Sequence, residues 1–176
     1  MSDRAARTFR FDCLRAPFEG VLEPGWVVLS LVVLIRHYDA PVFLKSLIAS
    51  AHFIGLMLTP FSRDDAARVR RPALQHAGFF LAISSGFLLL AGLLPGLYAF
   101  AGFVFFGALM RVQAVPLMTT VYSRNYLPIE RGRRLSTVAI VSAAGGSLAS
   151  YLGGAYLEHD ASRYPTVYVV LGVASL

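Results

Sequence analysis

Charged side chains are scarce in this sequence. Only 15% of its 176 residues are Asp, Glu, Lys or Arg, whereas soluble globular domains carry roughly 25%. Hydrophobic residues make up 56% of the chain and fall in long runs. So few polar groups cannot cover a water-soluble globule of this size. The composition therefore argues against an ordinary soluble domain and favours a chain solvated by lipid.

Cysteine and catalytic motifs are nearly absent as well. Cys13 is the only cysteine, which excludes an intrachain disulfide, and no His/Cys pattern has zinc spacing. No Ser or Cys nucleophile accompanies a His and an acid, and no glycine-rich phosphate loop ends in Lys-Ser/Thr. We therefore expect no enzyme activity, no cofactor and no metal. The net charge is +6, but no stretch interleaves aromatic and basic residues, so nucleic acid is not an expected partner.

Six apolar runs follow a polar N-terminal segment. The four middle runs have the roughly 20 residues that cross a hydrocarbon core about 30 Å thick. The last run is too short, and we expect the chain to be a piece of a longer protein. The sequence therefore predicts an all-α, polytopic transmembrane helix bundle. Its expected parts are a cytoplasmic tail at residues 1–17 and spans at about 18–35, 41–61, 72–94, 97–121, 135–157 and, truncated, 165–176.

Arginines mark alternate connections between the spans. The N-terminal tail, the segment after the second span and the segment after the fourth span carry four arginines each. The intervening turns contain only Arg36 and Arg163. Because basic loops remain on the cytoplasmic side, this pattern predicts a cytoplasmic N-terminus.

Ionisable side chains inside the spans are the strongest functional indication, because each is costly in lipid unless it faces protein or water. Glu19 and Glu23 lie one helical turn apart, before Pro24-Gly25, which could break the first helix. They form either a proton or cation site or a pair of interfacial carboxylates beside a helix N-terminus. Arg111 lies deep in the fourth span. It either binds a solute or coupling ion, or pairs with an acid such as Glu23 to hold helices together.

Two further polar residues complete the expected pathway. His52 lies near the middle of the second span, seven residues after Lys45. It is either a proton relay or a packed, hydrogen-bonded histidine, and Lys45 either shares its face or extends to the outer interface. Gln113 follows Arg111 closely. We expect Glu23, His52, Arg111 and Gln113 to line a central cavity.

Small residues recur at a spacing of four along the fifth span. Gly145, Ala149 and Gly153 form this ladder, with Gly154 beside it. Such residues let two helices approach closely in lipid. The ladder therefore predicts a helix-packing face, or alternatively a gating seam between helices that move.

The order of spans and basic loops resembles the N-terminal six-helix half of a major facilitator superfamily transporter. The segment that begins at Gly55-Leu56-Met57-Leu58 and continues to Arg63 is similar to the family's loop between the second and third helices. Arg131-Gly132-Arg133 resembles the family's entry to the fifth helix, and the glycines of the fifth span resemble its antiporter signature.

The resemblance implies a secondary transporter of a small solute that works by alternating access in a plasma or inner membrane. Its implied partners are membrane lipid, the solute, H⁺ or Na⁺ as coupling ion, and a missing C-terminal half-bundle. Two alternatives remain open at this point. One is a small polytopic membrane scaffold, and the other is a membrane-embedded enzyme that modifies lipids.

Overall fold

The computed structural model describes residues 3–68 and 72–175, with side chains described for residues 5–60 and 72–175. Within these ranges the chain is helical and contains no β-strand, which confirms the predicted all-helical fold. A 3₁₀ turn at Ala161–Arg163 precedes the last helix. The helices are α1 (Asp3–Trp26), α2 (Val28–Arg36), α3 (Val42–Arg68), α4 (Ala73–Leu93), α5 (Leu97–Asn125), α6 (Pro128–His159) and α7 (Tyr164–Ala174).

Five helical segments are long and apolar enough to cross a membrane. They are Ala5–Arg36, Val42–Pro60, Ala73–Leu93, Leu97–Asn125 and Pro128–His159. The first of them contains both α1 and α2. The last helix, α7, has only 11 residues, which at about 1.5 Å per residue is roughly half the thickness of a bilayer core.

Proline and glycine fix several helix boundaries. Pro72 is the N-cap of α4 and Pro128 is the first residue of α6; proline suits these positions because the first amides of a helix lack intrahelical acceptors. Gly96, in the turn between α4 and α5, has a φ of +125°. This conformation is open to glycine and strained for residues with a Cβ.

The helices extend beyond the apolar runs at the basic segments. Residues 3–17, expected as a polar tail, belong to α1, α3 continues to Arg68, and α6 begins at Pro128 rather than near residue 135. Alanine and arginine are good helix formers, so a helix continues past its apolar part until a breaker stops it. Hydropathy marks the apolar stretch of each helix and not its ends.

Helix α5 lies at the centre of the bundle, against α1, α3 and α4, while α6 packs mainly on α1 and α7 on α4. A buried aromatic cluster joins several of these helices. The Phe100 ring meets the Tyr168 ring edge-on at 5.0 Å between centroids. The Tyr38 and Tyr164 hydroxyls are 2.6 Å apart.

The two ends of the bundle differ in their connections. At one end, Arg134 Nη1 donates to the Ala5 carbonyl over 2.9 Å, which ties the start of α1 to the start of α6. At the opposite end, the Gly96 amide donates to the Tyr38 hydroxyl over 3.1 Å. The arginine-rich N-terminus and the arginine-rich α5–α6 connection therefore lie at the same end.

Candidate functional site

An ion pair joins α1 to α5. The Arg111 guanidinium on α5 donates to the Glu23 carboxylate on α1. The side chain of Arg111 is 21% exposed and that of Glu23 is 61% exposed. Glu23 was one of the acids that the sequence suggested as a partner for Arg111. Because both members remain accessible, the pair can exchange partners with a charged molecule that reaches it.

A second group of charged side chains lies on the same interface, about two helical turns before Glu23 on α1. On α1, Arg15 Nε is 3.4 Å from Glu19 Oε1, and Arg15 Nη2 donates to the Tyr122 hydroxyl of α5 over 2.9 Å. Arg15 Nη2 also lies 3.9 Å from Asp12 Oδ1. Opposite charges thus alternate along the α1–α5 interface, and removing one of them leaves its neighbour uncompensated.

The helix next to Glu23 is broken. Helix α1 ends at Trp26, and Val27 has φ −123° and ψ −61°, outside the helical region. Pro24 has no amide hydrogen, so it cannot donate to the Gly20 carbonyl as a helical residue would. The Ser30 hydroxyl donates to the Trp26 carbonyl over 2.8 Å, and the Tyr168 hydroxyl donates to the Gly25 carbonyl over 2.8 Å. The break is therefore stabilised by side chains of α2 and α7.

A cavity of about 320 Å³ lies between α1, α4, α5 and the end of α7. Arg15, Glu19 and Arg111 contribute its charges, and Ser84 and Ser85 contribute hydroxyl groups. Trp26 lines the same cavity, and its buried indole Nε1 has no hydrogen-bond partner among the described residues. A volume of this order holds a small polar solute.

A wider groove of about 520 Å³ lies between α1 and α6, and Glu23 lines this groove rather than the first cavity. Ser142, Ser147 and Ser150 of α6 line it together with Glu23 and Gly20. None of the three serine hydroxyls has a hydrogen-bond partner in the described part of the chain. The groove consequently offers oxygen ligands to a molecule that enters it.

Gln113 and His52 lie apart from this ion pair. Gln113 is buried and its Nε2 donates to the Gly55 carbonyl of α3 over 3.0 Å. His52 is exposed on α3, where its ring contacts the ring of Phe53. Within the described residues, neither side chain lines either cavity. Of the four expected pathway residues, the structure brings together Glu23 and Arg111.

The small residues of α6 approach the backbone of α1 very closely. A Cβ added at Gly145 would be 2.7 Å from the Pro17 carbonyl oxygen, and one added at Gly20 would be 1.9 Å from the Ser142 carbonyl oxygen. We call this backbone contact between α1 and α6 the α1–α6 seam. Further along α6, a Cβ added at Gly153 would be 2.9 Å from the side chain of Leu29 on α2.

The seam differs in detail from the ladder in the sequence. A Cβ added at Gly154 would meet nothing within 4 Å, and Ala149 is only partly buried. At Gly146, in contrast, an added Cβ would be 3.0 Å from the Gly20 carbonyl oxygen. Gly20 was not among the expected packing residues, since a lone glycine near the start of a span has no repeating pattern to reveal it.

The residues of the basic motif Arg131-Gly132-Arg133, at the start of α6, have different environments. Arg131 donates to the carbonyl of Ser123 over 3.2 Å, whereas Arg133 is exposed and Gly132 has open space around it. On α3, a Cβ at Gly55 would be 3.0 Å from Val112 of α5. The side chain of Arg63 lies outside the described residues.

Arg134 and Tyr126 make contacts at the arginine-rich end of the bundle that sequence reasoning missed. The Arg134 guanidinium donates to Glu130 over 2.8 Å and lies 5.4 Å from the ring centroids of both Phe9 and Tyr126. The Tyr126 hydroxyl donates to the buried Asp12 carboxylate. Burial and this hydrogen bond raise the pKa of Tyr126 above its ordinary value. Polarity alone could not reveal these contacts, because all of these residues lie in segments expected to be loops or tail.

Comparison with known proteins adds no relative. No protein-family model matches the chain, and neither does any curated protein or solved structure. Among the described residues, no group of three or more His, Cys, Asp or Glu side chains could hold a metal ion.

Proposed function

We propose that this chain is the helical bundle of a secondary transporter, embedded in a plasma or inner membrane with its N-terminus in the cytoplasm. In this proposal the Glu23–Arg111 pair is the solute or coupling-ion site. The resemblance to the N-terminal half of major facilitator superfamily transporters suggests the same function. The single observation that carries the proposal is an accessible ion pair between two helical segments that are long and apolar enough to cross a membrane.

The cost of charge in lipid is the physical basis of this proposal. A charged side chain near the middle of a bilayer costs a few kcal/mol or more unless it faces protein or water. Glu23 is 61% exposed although it forms an ion pair. In a membrane-spanning bundle, that side of α1 must therefore meet either water or another protein. A water-filled cavity closed by a second half-bundle would supply both the water and the protein neighbour.

The distribution of arginines supports the orientation. The contact between Arg134 and the Ala5 carbonyl holds the two basic segments at one end of the bundle. The turn that contains Gly96 is at the opposite end, next to Tyr38. Basic segments at a single end are what the positive-inside rule requires of a cytoplasmic face.

The break in the first span provides a site and a hinge. Broken helices recur at transporter binding sites, because unwound backbone offers carbonyl groups to ions and absorbs changes in φ and ψ. Here the break at Val27 directly follows Glu23 and Pro24. We expect the part of α1 before the break to move with α6, to which the seam attaches it, while α2 remains with the core.

Protonation of Glu23 gives a simple form of coupling. While ionised, Glu23 neutralises Arg111; once protonated, it leaves the guanidinium free for an anionic group of a solute. A proton gradient could thus drive the exchange of the Glu23 carboxylate for the anionic group of the solute as the partner of Arg111. A sodium ion bound at the Glu23 carboxylate would have the same effect on the charge balance.

The scaffold alternative has less support from the packing. Gly145 and Gly146, small residues that a scaffold could use for association, already contact α1 within this chain. A partner chain would have to bind the remaining exposed faces of α3 and α6.

Uptake by the reconstituted protein tests the transporter directly. The whole gene product in proteoliposomes is given a proton or a sodium gradient and a panel of small anionic and zwitterionic solutes. We expect gradient-dependent uptake of one class of solute, lost in Arg111→Ala and retained in Arg36→Ala, an arginine outside the cavities. Normal uptake by an Arg111→Ala variant that inserts and folds would overturn the assignment of the site.

Thiol accessibility tests the cavity without knowledge of the solute. Cys13 is the only cysteine of these 176 residues. A variant in which Cys13 and every cysteine outside these residues are replaced by serine provides a background without thiols. In that background, a Ser147→Cys variant places a thiol in the α1–α6 groove. We expect a charged, membrane-impermeant maleimide to label it, and not to label an Ile140→Cys control on an exposed apolar position of the same helix. Failure to label the Ser147 position from either side of the membrane would show that the groove faces lipid.

A further inference from the structure

A third cavity, of about 330 Å³, lies at the arginine-rich end of the bundle, between the starts of α1 and α6. It has no place in the proposed transport pathway, because neither Glu23 nor Arg111 lines it. Its lining is dominated by cationic side chains. The residues are Ala6, Phe9 and Arg10 of α1 with Arg133, Arg134 and Thr137 of α6.

The three arginines of this cavity are not equivalent. Arg134 is 8% exposed and held in place: it donates to the Ala5 carbonyl and to Glu130, and its guanidinium carbon lies 5.4 Å from the centroids of the Phe9 and Tyr126 rings. Its position is therefore fixed before any ligand arrives.

Arg10 and Arg133, in contrast, are exposed at the mouth of the cavity. Neither guanidinium forms an ion pair or a hydrogen bond with another residue whose side chain is described. Glu130, which lies one turn before Arg134 on α6, is already paired with Arg134. Among the residues whose side chains are described, the cavity is thus lined by two cations without an anionic partner and by a third whose charge is balanced.

Guanidinium groups in this arrangement favour a phosphate. Arginine presents a planar fork of donors that binds the oxygens of a phosphate group in pairs, with charge-assisted hydrogen bonds. Two helices contribute to the cavity, so a single phosphate would bridge α1 and α6. Basic pockets between helices at the cytoplasmic end of membrane proteins bind the headgroups of anionic lipids.

An apolar surface next to the cavity favours a phospholipid over a free phosphate as the ligand. A shallow groove along α1 shares Ala6 and Arg10 with the cavity and continues to Phe11 and Leu14. Phe11 is 66% exposed and Leu14 is 69% exposed. Residues at positions 7, 11, 14 and 18 lie on one face of a helix, and Phe18 extends the apolar stripe toward the middle of the bundle. An acyl chain attached to a phosphate in the cavity would run along this stripe.

We propose that Arg10, Arg133 and Arg134 bind the headgroup phosphate of an anionic phospholipid, whose acyl chain lies along Phe11, Leu14 and Phe18. The bound lipid joins the start of α1 to the start of α6, just outside the α1–α6 seam. This site requires the bundle to be in a membrane but does not require it to be a transporter, so it can be tested apart from solute uptake.

Lipid binding to the purified protein tests the site. The protein is placed in nanodiscs of phosphatidylcholine alone or of phosphatidylcholine mixed with phosphatidylglycerol, and bound lipid is counted by native mass spectrometry after transfer to detergent. We expect retention of phosphatidylglycerol and a higher midpoint of thermal unfolding in the mixed nanodiscs. In the Arg10→Gln/Arg133→Gln variant, we expect affinity for phosphatidylglycerol to fall roughly tenfold or more, as the loss of charge-assisted hydrogen bonds implies.

A control of equal charge separates a site from general attraction. The Arg36→Gln/Arg124→Gln variant removes the same two charges from exposed positions outside the cavity and is expected to bind phosphatidylglycerol like the wild type. Equal loss in both double variants would overturn the site, since the lipid would then respond only to net charge. Stabilisation by inorganic phosphate equal to that by phosphatidylglycerol would overturn the assignment to a lipid. Retention of phosphatidylcholine and phosphatidylglycerol in equal amounts would also overturn it.

Discussion

The hydroxyl group of Tyr168 donates a hydrogen bond to the carbonyl of Gly25 across 2.8 Å, at the point where the first apolar segment is broken. Tyr168 is fully buried and lies 143 residues further along the chain. Near a helix break, a carbonyl has lost its normal amide donor and needs another partner when it is buried. The short helix α7 thus provides a specific polar contact that holds the break in α1.

Replacement of Tyr168 by phenylalanine tests this contact. We expect Tyr168→Phe to lower the free energy of unfolding by about 1–3 kcal/mol, because the Gly25 carbonyl is left in the core without its donor. The measurement is thermal unfolding in detergent, followed by circular dichroism. Tyr98→Phe is the matched control, since Tyr98 is 76% exposed. Equal effects of the two substitutions would mean that the hydrogen bond does not stabilise the break.

The close approach of α1 and α6 predicts that a single added methyl group lowers the stability of the protein. An alanine Cβ at position 20 would be 1.9 Å from the Ser142 carbonyl oxygen, so the two helix backbones must move apart. Forced expansion of a packed interface costs typically about 1–3 kcal/mol. We expect Gly20→Ala to lower the midpoint temperature of thermal unfolding clearly.

The same substitution on α6 supplies the control for the seam. At Gly154 an added Cβ meets nothing within 4 Å. We therefore expect Gly154→Ala to be neutral or stabilising by up to about 1 kcal/mol, because alanine is the better helix former. If the alanine variants of Gly20 and Gly154 unfold at the same temperature, the helices do not pack as described.

The bundle and its main ion pair follow from the sequence to different degrees. Long apolar runs separated by proline and arginine predict an all-helical chain, and a lone arginine inside such a run needs an acid, of which the spans offer few. Arg111 with Glu23 could therefore be suggested in advance. Gln113 was assigned to the same cavity because it is polar, but it turns toward the backbone of α3.

The remaining contacts could not be predicted because the helices are apolar on nearly every side. Where no face is distinctly polar, the sequence does not specify which faces meet. The pairing of Asp12 with Tyr126 depends on the alignment of α1 with the end of α5. The position of Gly20 opposite Ser142 depends on the depth at which α6 crosses α1. These are properties of packing rather than of composition.

The Glu23–Arg111 pair predicts energetic coupling between the two side chains. Glu23→Gln should destabilise the protein by about 1–3 kcal/mol, because it leaves the largely buried Arg111 guanidinium without its partner. Arg111→Gln should cost less, about 1 kcal/mol at most, because the Glu23 carboxylate is 61% exposed. The double variant should lose less than the sum of the single losses. A double-mutant cycle on unfolding in detergent measures the difference. Simple additivity of the two substitutions would show that the groups do not interact.

The hydrogen bond between Tyr126 and Asp12 predicts a pH dependence at the arginine-rich end of the bundle. Burial and the neighbouring Asp12 carboxylate raise the pKa of Tyr126 in the folded protein. Its stabilising contribution is therefore complete below the unfolded pKa of about 10 and is lost as the pH rises through the folded pKa. We expect stability to fall above about pH 10, less steeply in Tyr126→Phe than in the wild type.

At neutral pH the same variant should already be less stable. Asp12 is only 6% exposed, and without the tyrosine hydroxyl its carboxylate retains Arg15 at 3.9 Å. Loss of a hydrogen bond to a charged group costs about 1.5–3 kcal/mol. Tyr151→Phe, at a position 74% exposed, should change neither the neutral-pH stability nor the alkaline slope. A Tyr126→Phe variant with the wild-type slope above pH 10 would show that another group governs alkaline unfolding.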